Sequence, residues 1–472
     1  MRKPNIIFVM LDTMRVDSLG VYGGKKRLKT LDSIASKGTL YLNAIAPGTY
    51  TLPSHTSIFT SKRVARISSL KEGMLGNYRK NTDPFLSKNR YIGEKEMTLA
   101  RKLSYMGYKT SLFSNNPFIT ETTGLASGFS YVKNMFIEQK LKEHRATLGI
   151  VDNDSMREGF TKLAYMISRL IPRKQLDSIY LSLRNKLNYK FAEGYGFNRL
   201  DQGAEITNKM VRKYAGKHNS GQFIFINYME AHEGYPTNLI TDRFVSQDKW
   251  LYVGGILESN DVKIIKEAYD KRVEYLDSKV GELISALKEK GMLDNAVVLF
   301  TSDHGQAFME HGQLYHTLFP YNEISHVPLI AARYLNGKQV PSRERIEENV
   351  SLSSLHNSIL DIAYGKSEML NGSMRSKEFV FSDHTGISEV WDAGLLELLK
   401  GRSEYASRIY EAKKAFNTLA TAIYSGKYKL IHYYNARKDE LYDLSMDSGE
   451  EENIIDGHRD IAYTLLKANS AS

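Results

Sequence analysis

Cysteine is absent from the 472 residues, and the chain has only two tryptophans and ten prolines. The lack of cysteine excludes disulfide bonds, thiolate metal sites and a cysteine nucleophile, and it agrees with a reducing compartment. Long apolar runs are also missing, because no segment approaches the roughly 18 apolar residues of a membrane-spanning helix. The first apolar run, Ile6 to Met10, is too short for a signal peptide. We therefore expect a soluble, cytoplasmic protein.

The charge balance favours anionic partners. The chain carries 64 basic and 54 acidic residues, a net charge of +10, and a positive surface attracts anions. The sequence contains no zinc-finger, RNA-recognition or basic-zipper pattern, so we do not expect a nucleic-acid partner. An anionic ester substrate and an anionic membrane surface both account for the charge.

Apolar strand-like runs alternate with segments of helical periodicity along much of the chain. This alternation predicts an α/β fold, with a mostly parallel sheet sandwiched by helices. Ligands of such sheets bind beyond the carboxyl ends of the strands. The predicted strands include residues 5–10, 109–113, 223–226 and 296–300, and the predicted helices include 28–37, 99–106 and 264–290.

Two regions depart from this alternation. Residues 134–220 are helical in pattern and basic, and we interpret them as an insertion or cap on a catalytic domain of residues 1–370. Between residues 157 and 190 the basic side chains alternate with apolar ones at helical spacing. Such a helix either packs on the core as a lid or lies on an anionic membrane as a peripheral contact. Residues 371–472 predict a smaller C-terminal α+β subdomain.

Polar residues that suit a metal ion follow three of the predicted strands. These residues are Asp12, Thr51 and the pair Asp303 and His304. Two carboxylates, an imidazole and a hydroxyl form a ligand set for one divalent cation, with Mn or Zn favoured and Ca or Mg as alternatives. Thr51 is the candidate nucleophile, because a metal ion stabilises an alkoxide. A predicted helix from Ser54 would direct its positive end at a bound oxyanion.

These residues belong to motifs that resemble the sulfatases of the alkaline-phosphatase superfamily. Thr51-Leu52-Pro53-Ser54-His55 is similar to the Cys/Ser-x-Pro-Ser-Arg signature of that family. The other segments follow in the family's order. They are the opening strand 5–15, the histidine segment 223–235, 275–277, 291–294, the metal segment 301–305, 310–312, His316, Tyr321, 326–330, and the C-terminal strand pair 428–431 and 440–444.

The resemblance implies roles for further residues. It assigns His232 and His316 to binding of the transferred group and protonation of the leaving group. It also assigns Arg15, His55 and Asn115 to substrate binding. Two-zinc relatives add an Asp-x-x-x-His pair, and none of the twelve histidines here has an aspartate four residues before it. We therefore expect one metal ion.

The departures from the family pattern bear on the chemistry. Sulfatases oxidise a Cys or Ser to formylglycine, whereas this chain has Thr51, and members with threonine there handle phosphoesters through a phospho-threonine. We therefore favour an enzyme that hydrolyses or transfers phosphoesters over one that acts on sulfoesters. Its expected substrate is an anionic ester, which is free, glycan-linked or lipid-linked. A sulfatase proper is one alternative. A catalytically idle binding protein is the other, although the complete ligand set argues against it.

Overall fold

The computed structural model describes residues 3–25, 27–64, 91–135, 200–215, 221–235, 259–316, 318–370, 374, 378–385, 418–434 and 438–472. Within these residues the strands are β1 (Asn5–Leu11), β2 (Thr39–Ile45), β3 (Lys109–Ser114), β4 (Tyr131–Asn134), β5 (Gln222–Tyr228), β6 (Asn295–Thr301), β7 (Ala307–Phe308), β8 (Leu314–Tyr315), β9 (His326–Leu335), β10 (Lys338–Val340), β11 (Arg345–Ser351), β12 (Val380–His384), β13 (Ala420–Ser425), β14 (Tyr428–Tyr433) and β15 (Glu440–Asp443). The α-helices are α1 (Leu31–Lys37), α2 (Thr51–Thr60), α3 (Leu99–Tyr105), α4 (Ala204–Tyr214), α5 (Ser259–Glu289), α6 (Asn322–Ser325), α7 (Leu355–Ala363) and α8 (Arg459–Ala471).

The central sheet has the strand order β11-β2-β9-β6-β1-β5-β3-β4, and β10 pairs with β9. The pairs β6–β1, β1–β5, β5–β3 and β3–β4 are parallel. Strand β9 is antiparallel to both of its neighbours, β2 and β6. Strands β2, β6, β1, β5 and β3 therefore all run in one direction, and their carboxyl ends meet at one edge. The predicted fold class, a mostly parallel sheet covered by helices, is confirmed.

The core lies on both faces of this sheet. In β1, Ile7 and Val9 belong to one buried cluster, while Ile6 and Phe8 belong to the cluster on the opposite face. This division follows from the alternation of side chains along a strand. It also explains why β1 is an almost uninterrupted apolar run, since both faces exclude water. A buried carboxylate on α5, Asp277, accepts hydrogen bonds from the backbone amides of Thr30 and Leu31 at the start of α1.

A second, antiparallel sheet of order β12-β13-β14-β15 lies in the C-terminal part of the chain. It packs on α8 through Ile423, Leu430 and Leu465. This arrangement agrees with a small α+β unit, while its boundary at residue 371 stays a prediction. The basic segment 157–190 of the predicted insertion lies outside the described residues, and the described end of that region contains α4. None of the described helices is long and apolar enough to cross a membrane.

Candidate metal centre and active site

The carboxyl ends of four strands supply the polar side chains of one cluster. Asp12 follows β1, Asp303 and His304 follow β6, and Asn116 follows β3. Thr51 follows β2 after a short loop and is the first residue of α2. Because these strands run in the same direction, their ends bring the side chains to one edge of the sheet. The fold therefore brings Asp12, Thr51, Asp303 and His304 to the same edge, and their role as metal ligands stays a prediction.

Asp12, Asp303 and His304 form the centre of the cluster. All three side chains are buried, and one ligand atom from each lies within 4.8 Å of those of the others. His304 Nε2 is 3.4 Å from Asp303 Oδ2 and 3.9 Å from Asp12 Oδ1. These separations suit three donor atoms that surround one cation, because each ligand atom lies about 2 Å from a bound transition metal. The residues therefore converge as a metal site requires.

The hydrogen bonds of the cluster support this assignment. Asp12 Oδ1 and Asp303 Oδ2 are buried and accept no hydrogen bond from the described residues. His304 Nδ1 lies 3.0 Å from the carbonyl oxygen of Gly305 and must donate to it. The neutral ring then carries its lone pair on Nε2, as a metal-binding histidine does. Two unsatisfied carboxylate oxygens and one imidazole lone pair match the donor set of a divalent cation.

The raised pKa values of Asp12 and Asp303 also suit a bound cation. Burial raises the pKa of Asp303 to about 7, against hydrogen bonds from its own backbone amide and that of Thr13. Burial and the neighbouring charge of Asp303 raise the pKa of Asp12 to about 6. A buried carboxylate without a counter-charge resists ionisation. A cation between the two would reverse this effect and hold both carboxylates ionised.

Gly305 allows the loop that carries Asp303 and His304 to pack closely. A Cβ atom at this position would lie 2.0 Å from the carbonyl oxygen of Glu323. The backbone amide of Gly305 donates to Ile324, and that of Gln306 donates to Glu323. The requirement for close backbone approach therefore explains the glycine of the Asp-His-Gly motif.

Thr51 is held at the amino-terminal end of α2, beside the cluster. The structure starts this helix at Thr51 itself, three residues before the predicted start at Ser54. Its hydroxyl oxygen lies 3.2 Å from Asn116 Nδ2. Ser54 Oγ donates to the carbonyl oxygen of Asp303 and so fixes the first turn of α2 against the loop after β6. The hydroxyl therefore lies where the partial positive charge of a helix amino terminus is greatest.

Asn116 is one of the residues that sequence reasoning missed. Its Nδ2 donates to Asp12 Oδ2 at 2.8 Å as well as lying near Thr51. Its Oδ1 accepts from the amide of Phe118, an Asx turn across Pro117 that fixes the orientation of the side chain. The predicted Asn115 instead accepts from Thr207 on α4. The structure brings Asn116 to the cluster and leaves Asn115 against α4, and the Asn-Pro dipeptide was the available signal.

His55 lies beneath the cluster, one helical turn after Thr51. Its Nδ1 is 3.0 Å from the carbonyl oxygen of Thr51 and 3.4 Å from Asp303 Oδ2. The ring is fully buried and contacts Phe59 and Phe225, and burial lowers its pKa to about 3. A neutral, enclosed ring supports the first turn of α2. The ring has no exposed surface, and its predicted contact with substrate stays a prediction.

Arg15 lies apart from the cluster. Its guanidinium pairs with Asp17 and Glu310 and donates to the carbonyl oxygen of Gln306. These neighbours raise its pKa despite the opposing effect of burial. Because its hydrogen bonds are directed to the loop after β6, Arg15 orders that loop. The predicted role of Arg15 in binding substrate stays a prediction.

His232 and His316 lie next to the cluster and share a carboxylate. The ring centroid of His316 is 4.3 Å from that of His304 and 5.0 Å from that of His232. Glu233 Oε2 is 3.2 Å from Nδ1 of His232 and 3.3 Å from Nδ1 of His316. Sequence reasoning named both histidines and overlooked this glutamate between them. The two rings thus border the cluster on one side.

The Ser-Asp-His tripeptide at residues 382–384 forms no similar centre. Asp383 pairs with Arg63 at 2.6 Å, and His384 Nδ1 lies 3.1 Å from the hydroxyl oxygen of Thr49. The carboxylate is therefore satisfied by a guanidinium. The tripeptide ties the second sheet to the loop that precedes α2.

A family model described as Sulfatase matches residues 4–366. The chain belongs to the sulfatase family. An arylsulfatase of Clostridium perfringens is 25% identical over 386 residues, which cover 77% of this chain and 75% of that protein. Arylsulfatase K of Rattus norvegicus is 28% identical over 215 residues, or 45% of this chain. The match covers 35% of the length of that relative.

Solved structures share the fold at low sequence identity. The phosphonate monoester hydrolase of Agrobacterium radiobacter has a TM-score of 0.61 at 15% identity, with 99% of this chain and 94% of that chain covered. A 2-O GAG sulfatase has a TM-score of 0.61 at 15% identity, with coverages of 99% and 91%. These likenesses extend the family fold over nearly the whole chain.

Proposed function

We propose that this sulfatase-family chain is a divalent-metal-dependent hydrolase or transferase of phosphoesters, with Thr51 as the nucleophile. The observation that carries the proposal is the position of the Thr51 hydroxyl. It shares the amide of Asn116 with Asp12, at the amino terminus of α2 and beside Asp303 and His304. Asp12, Asp303, His304 and Thr51 would hold the cation.

Different residues carry out nucleophilic attack and proton transfer in the proposed ester cleavage. A bound divalent cation would supply the positive charge that stabilises an alkoxide and a transferred oxyanion. Thr51 attacks phosphorus through Oγ as the alkoxide that remains once its hydroxyl proton has passed to solvent, and the bond from phosphorus to the leaving oxygen breaks with its electron pair on that oxygen. His232 or His316 donates a proton to the leaving oxygen and later takes one from the incoming water or alcohol. The same histidines then serve both half-reactions.

The choice of threonine supports phosphoester chemistry. Formylglycine arises from a Cβ that carries one oxidisable heteroatom and no methyl group, whereas Thr51 carries a methyl there. Oxidation of threonine would give a ketone, whose hydrate forms far less readily than that of an aldehyde. The hydroxyl itself is therefore the available nucleophile. A phosphoryl-threonine intermediate requires no modification of the chain.

The charge around the cluster favours a substrate with a single negative charge. None of the described contacts of Asp12, Thr51 or Asp303 involves a lysine or arginine. Arg15 is already paired with two carboxylates. One cation beside two carboxylates compensates a monoanion better than a dianion. We therefore place phosphodiesters ahead of phosphomonoesters.

Sulfate monoesters are the second candidate, because they are also monoanions and the matched relatives are arylsulfatases. Comparison of para-nitrophenyl phosphodiester, phosphomonoester and sulfate substrates, each with Mn, Zn, Mg and Ca, decides between them. We expect the highest kcat/KM for the diester with Mn or Zn. A larger kcat/KM for the sulfate would contradict the phosphoester assignment. A protein that binds none of these metals and turns over none of the esters would instead support the idle binding protein.

The nucleophile is tested by Thr51→Ala, with Thr56→Ala as the matched control. Thr56 lies on the same helix and is buried, and its hydroxyl has no hydrogen-bond partner among the described residues. We expect the Thr51 variant to lose turnover by at least about 1,000-fold while it keeps most of its metal. The control should retain turnover. Mass spectrometry of a quenched reaction should find the transferred group on Thr51, and its location on another residue would reject the assignment.

A further inference from the structure

Glu233 is buried between two histidines. It is not one of the four candidate metal ligands. Its side chain is 2% exposed. One carboxylate oxygen, Oε2, lies 3.2 Å from His232 Nδ1, 3.3 Å from His316 Nδ1 and 3.4 Å from Gln306 Nε2. A single carboxylate oxygen thus faces the same nitrogen of both rings.

The direction of hydrogen bonding at His316 can be read from a chain of donors. The hydroxyl of Tyr235 donates to the carbonyl oxygen of Ala231 at 2.9 Å, so its oxygen accepts from Gln306 Nε2 at 2.8 Å. This contact fixes the amide of Gln306 with Oε1 toward His316. Because Oε1 can only accept, His316 Nδ1, at 2.9 Å, must carry a proton.

The same protonation follows for His232. Its Nδ1 faces Glu233 Oε2 and also the backbone carbonyl oxygen of Glu233 at 3.4 Å. Both of these atoms are acceptors, so Nδ1 is the donor. In each neutral ring the lone pair then resides on Nε2, which points away from Glu233. The carboxylate selects one tautomer for two rings.

We propose that Glu233 is a positioning residue, which together with Gln306 keeps Nδ1 protonated in His232 and His316 so that proton transfer with the substrate takes place at Nε2. Both rings lie near the candidate ligands of the cluster, since the ring centroid of His316 is 4.3 Å from that of His304 and 5.0 Å from that of His232. In the first half-reaction one of the two rings carries a second proton, on Nε2, and gives it to the leaving oxygen as the bond from that oxygen to phosphorus breaks, which leaves the ring neutral with its proton on Nδ1. In the second half-reaction Nε2 takes a proton from the attacking water or alcohol.

A second metal ion is the competing interpretation of this group. His232, Glu233 and His316 offer ligand atoms within 4.8 Å of one another. A cation bound at Nδ1 of His316 would, however, have to displace the proton that this nitrogen donates to Gln306 Oε1. The hydrogen bonds therefore favour the positioning role. Metal content distinguishes the two interpretations.

The test uses Glu233→Gln, which keeps the shape of the side chain and removes its charge. A glutamine can accept from one ring but presents its amide hydrogens to the other. Glu230→Gln is the matched control, because Glu230 is equally buried and its carboxylate instead accepts from the backbone amides of Gln202 and Ala204. Tyr235→Phe is a second variant, which retains Glu233 and frees the amide of Gln306 to rotate.

The first measurement is independent of activity. Nitrogen-15 NMR of histidine-labelled, metal-loaded protein reports which ring nitrogen carries the proton, with signals assigned by His232→Asn and His316→Asn. We expect Nδ1-protonated rings in the wild type and the Glu230 control. In the Glu233 variant at least one ring should change to a mixture of tautomers, and in Tyr235→Phe that ring should be His316. Unchanged tautomers in both variants would overturn the inference.

The second measurement rests on the proposed ester cleavage. Loss of correct proton delivery should lower kcat about 100-fold for a phenyl ester, whose leaving group needs a proton, and less than about 10-fold for a para-nitrophenyl ester. KM should change little. Equal losses for both esters, or a loss of one equivalent of metal in Glu233→Gln, would overturn the positioning role. Wild-type inactivity on every ester would instead refute the proposed function and leave the tautomer result intact.

Discussion

Replacement of Asp303 by Asn should stabilise the metal-free protein while it weakens metal binding. The carboxylate is fully buried, and burial raises its pKa from 3.8 to about 7. Between these values the folded state binds more protons than the unfolded state, so the stability of the metal-free protein falls as the pH rises through this window. Above about pH 7 the cost of the ionised carboxylate is constant, on the order of 4 kcal/mol, and near pH 5 it is roughly 1–2 kcal/mol.

The substitution removes this cost and retains most of the local contacts. Asn keeps the oxygen that accepts from the backbone amide of His304, and its amide group can donate to His304 Nε2, now 3.4 Å from Asp303 Oδ2. It also lowers the cost of ionising Asp12, whose pKa is raised in part by Asp303. We expect a net gain of about 2–4 kcal/mol near pH 8. For a chain of this length that gain corresponds to a rise of about 2–4 °C in the Tm.

Thermal unfolding in the presence of a chelator, at about pH 5 and about pH 8, measures this effect. The gain should be smaller at the lower pH by about 3 kcal/mol, because the wild-type carboxylate is then protonated. Addition of Mn or Zn should raise the Tm of the wild type far more than that of the variant, since the variant has lost a charged ligand. A metal-free variant that is less stable than the wild type near pH 8 would refute the reasoning.

Asp32→Asn provides the opposite control for the same substitution. Asp32 is also buried, but its carboxylate accepts from the backbone amides of Gly20, Val21 and Leu28. Removal of its charge weakens three charge-assisted hydrogen bonds, so the variant should lose on the order of 1–3 kcal/mol. Metal should not alter this loss. Equal changes in the two variants would mean that the cation site does not determine the behaviour of Asp303.

Two further predictions follow from contacts described above. Asn116→Ala should lower kcat by about 10- to 100-fold with most of the metal retained, because the proposed nucleophile and Asp12 lose their shared hydrogen-bond donor. Asn115→Ala should mainly lower the Tm. Steady-state kinetics and metal analysis distinguish the two variants, and equal losses of kcat would contradict the assignment. Lys429→Met should lower the free energy of unfolding by about 3–5 kcal/mol, because the buried carboxylate of Glu450 loses the Lys429 ammonium group, whose Nζ lies 2.5 Å from Glu450 Oε1. An unchanged midpoint of urea unfolding would contradict this prediction.

Periodicity predicted the elements of the catalytic sheet because their packing is uniform. The strand at Asn5 is buried on both faces, and its sequence is correspondingly apolar throughout. Helix α5 is apolar on one side, and its observed span Ser259–Glu289 includes nearly all of the predicted segment. The antiparallel direction of β9 left no such signal, because a buried strand has the same composition in either direction. Composition therefore indicates that a strand is buried without indicating its partners.

The closeness of the candidate metal ligands was predictable because a strand end fixes the place of the residues that follow it. Asp12, Asp303 and His304 come directly after strands, so the order of the sheet brings them together. Thr51 was named both from its place after a predicted strand and from the resemblance to the sulfatases, although a loop of five residues separates it from β2. Arg15 and His55 were assigned by the same resemblance, but ion pairs with Asp17 and Glu310 and enclosure in the core determine their surroundings here. Such contacts are formed only in three dimensions.

Asn116 and Glu233 show why neighbours in sequence can have different roles. After β3 the chain no longer alternates, and the Asx turn across Pro117 directs the side chain of Asn116, rather than that of Asn115, toward Asp12. Glu233 follows His232 directly, yet its carboxylate reaches His316, 83 positions along the chain, because the ends of β5 and β6 lie on either side of β1. In both cases the side chain acts by orienting a donor or fixing a proton for another residue. Residue type reveals a ligand or a nucleophile, but the residues that orient them are identified only by their hydrogen bonds.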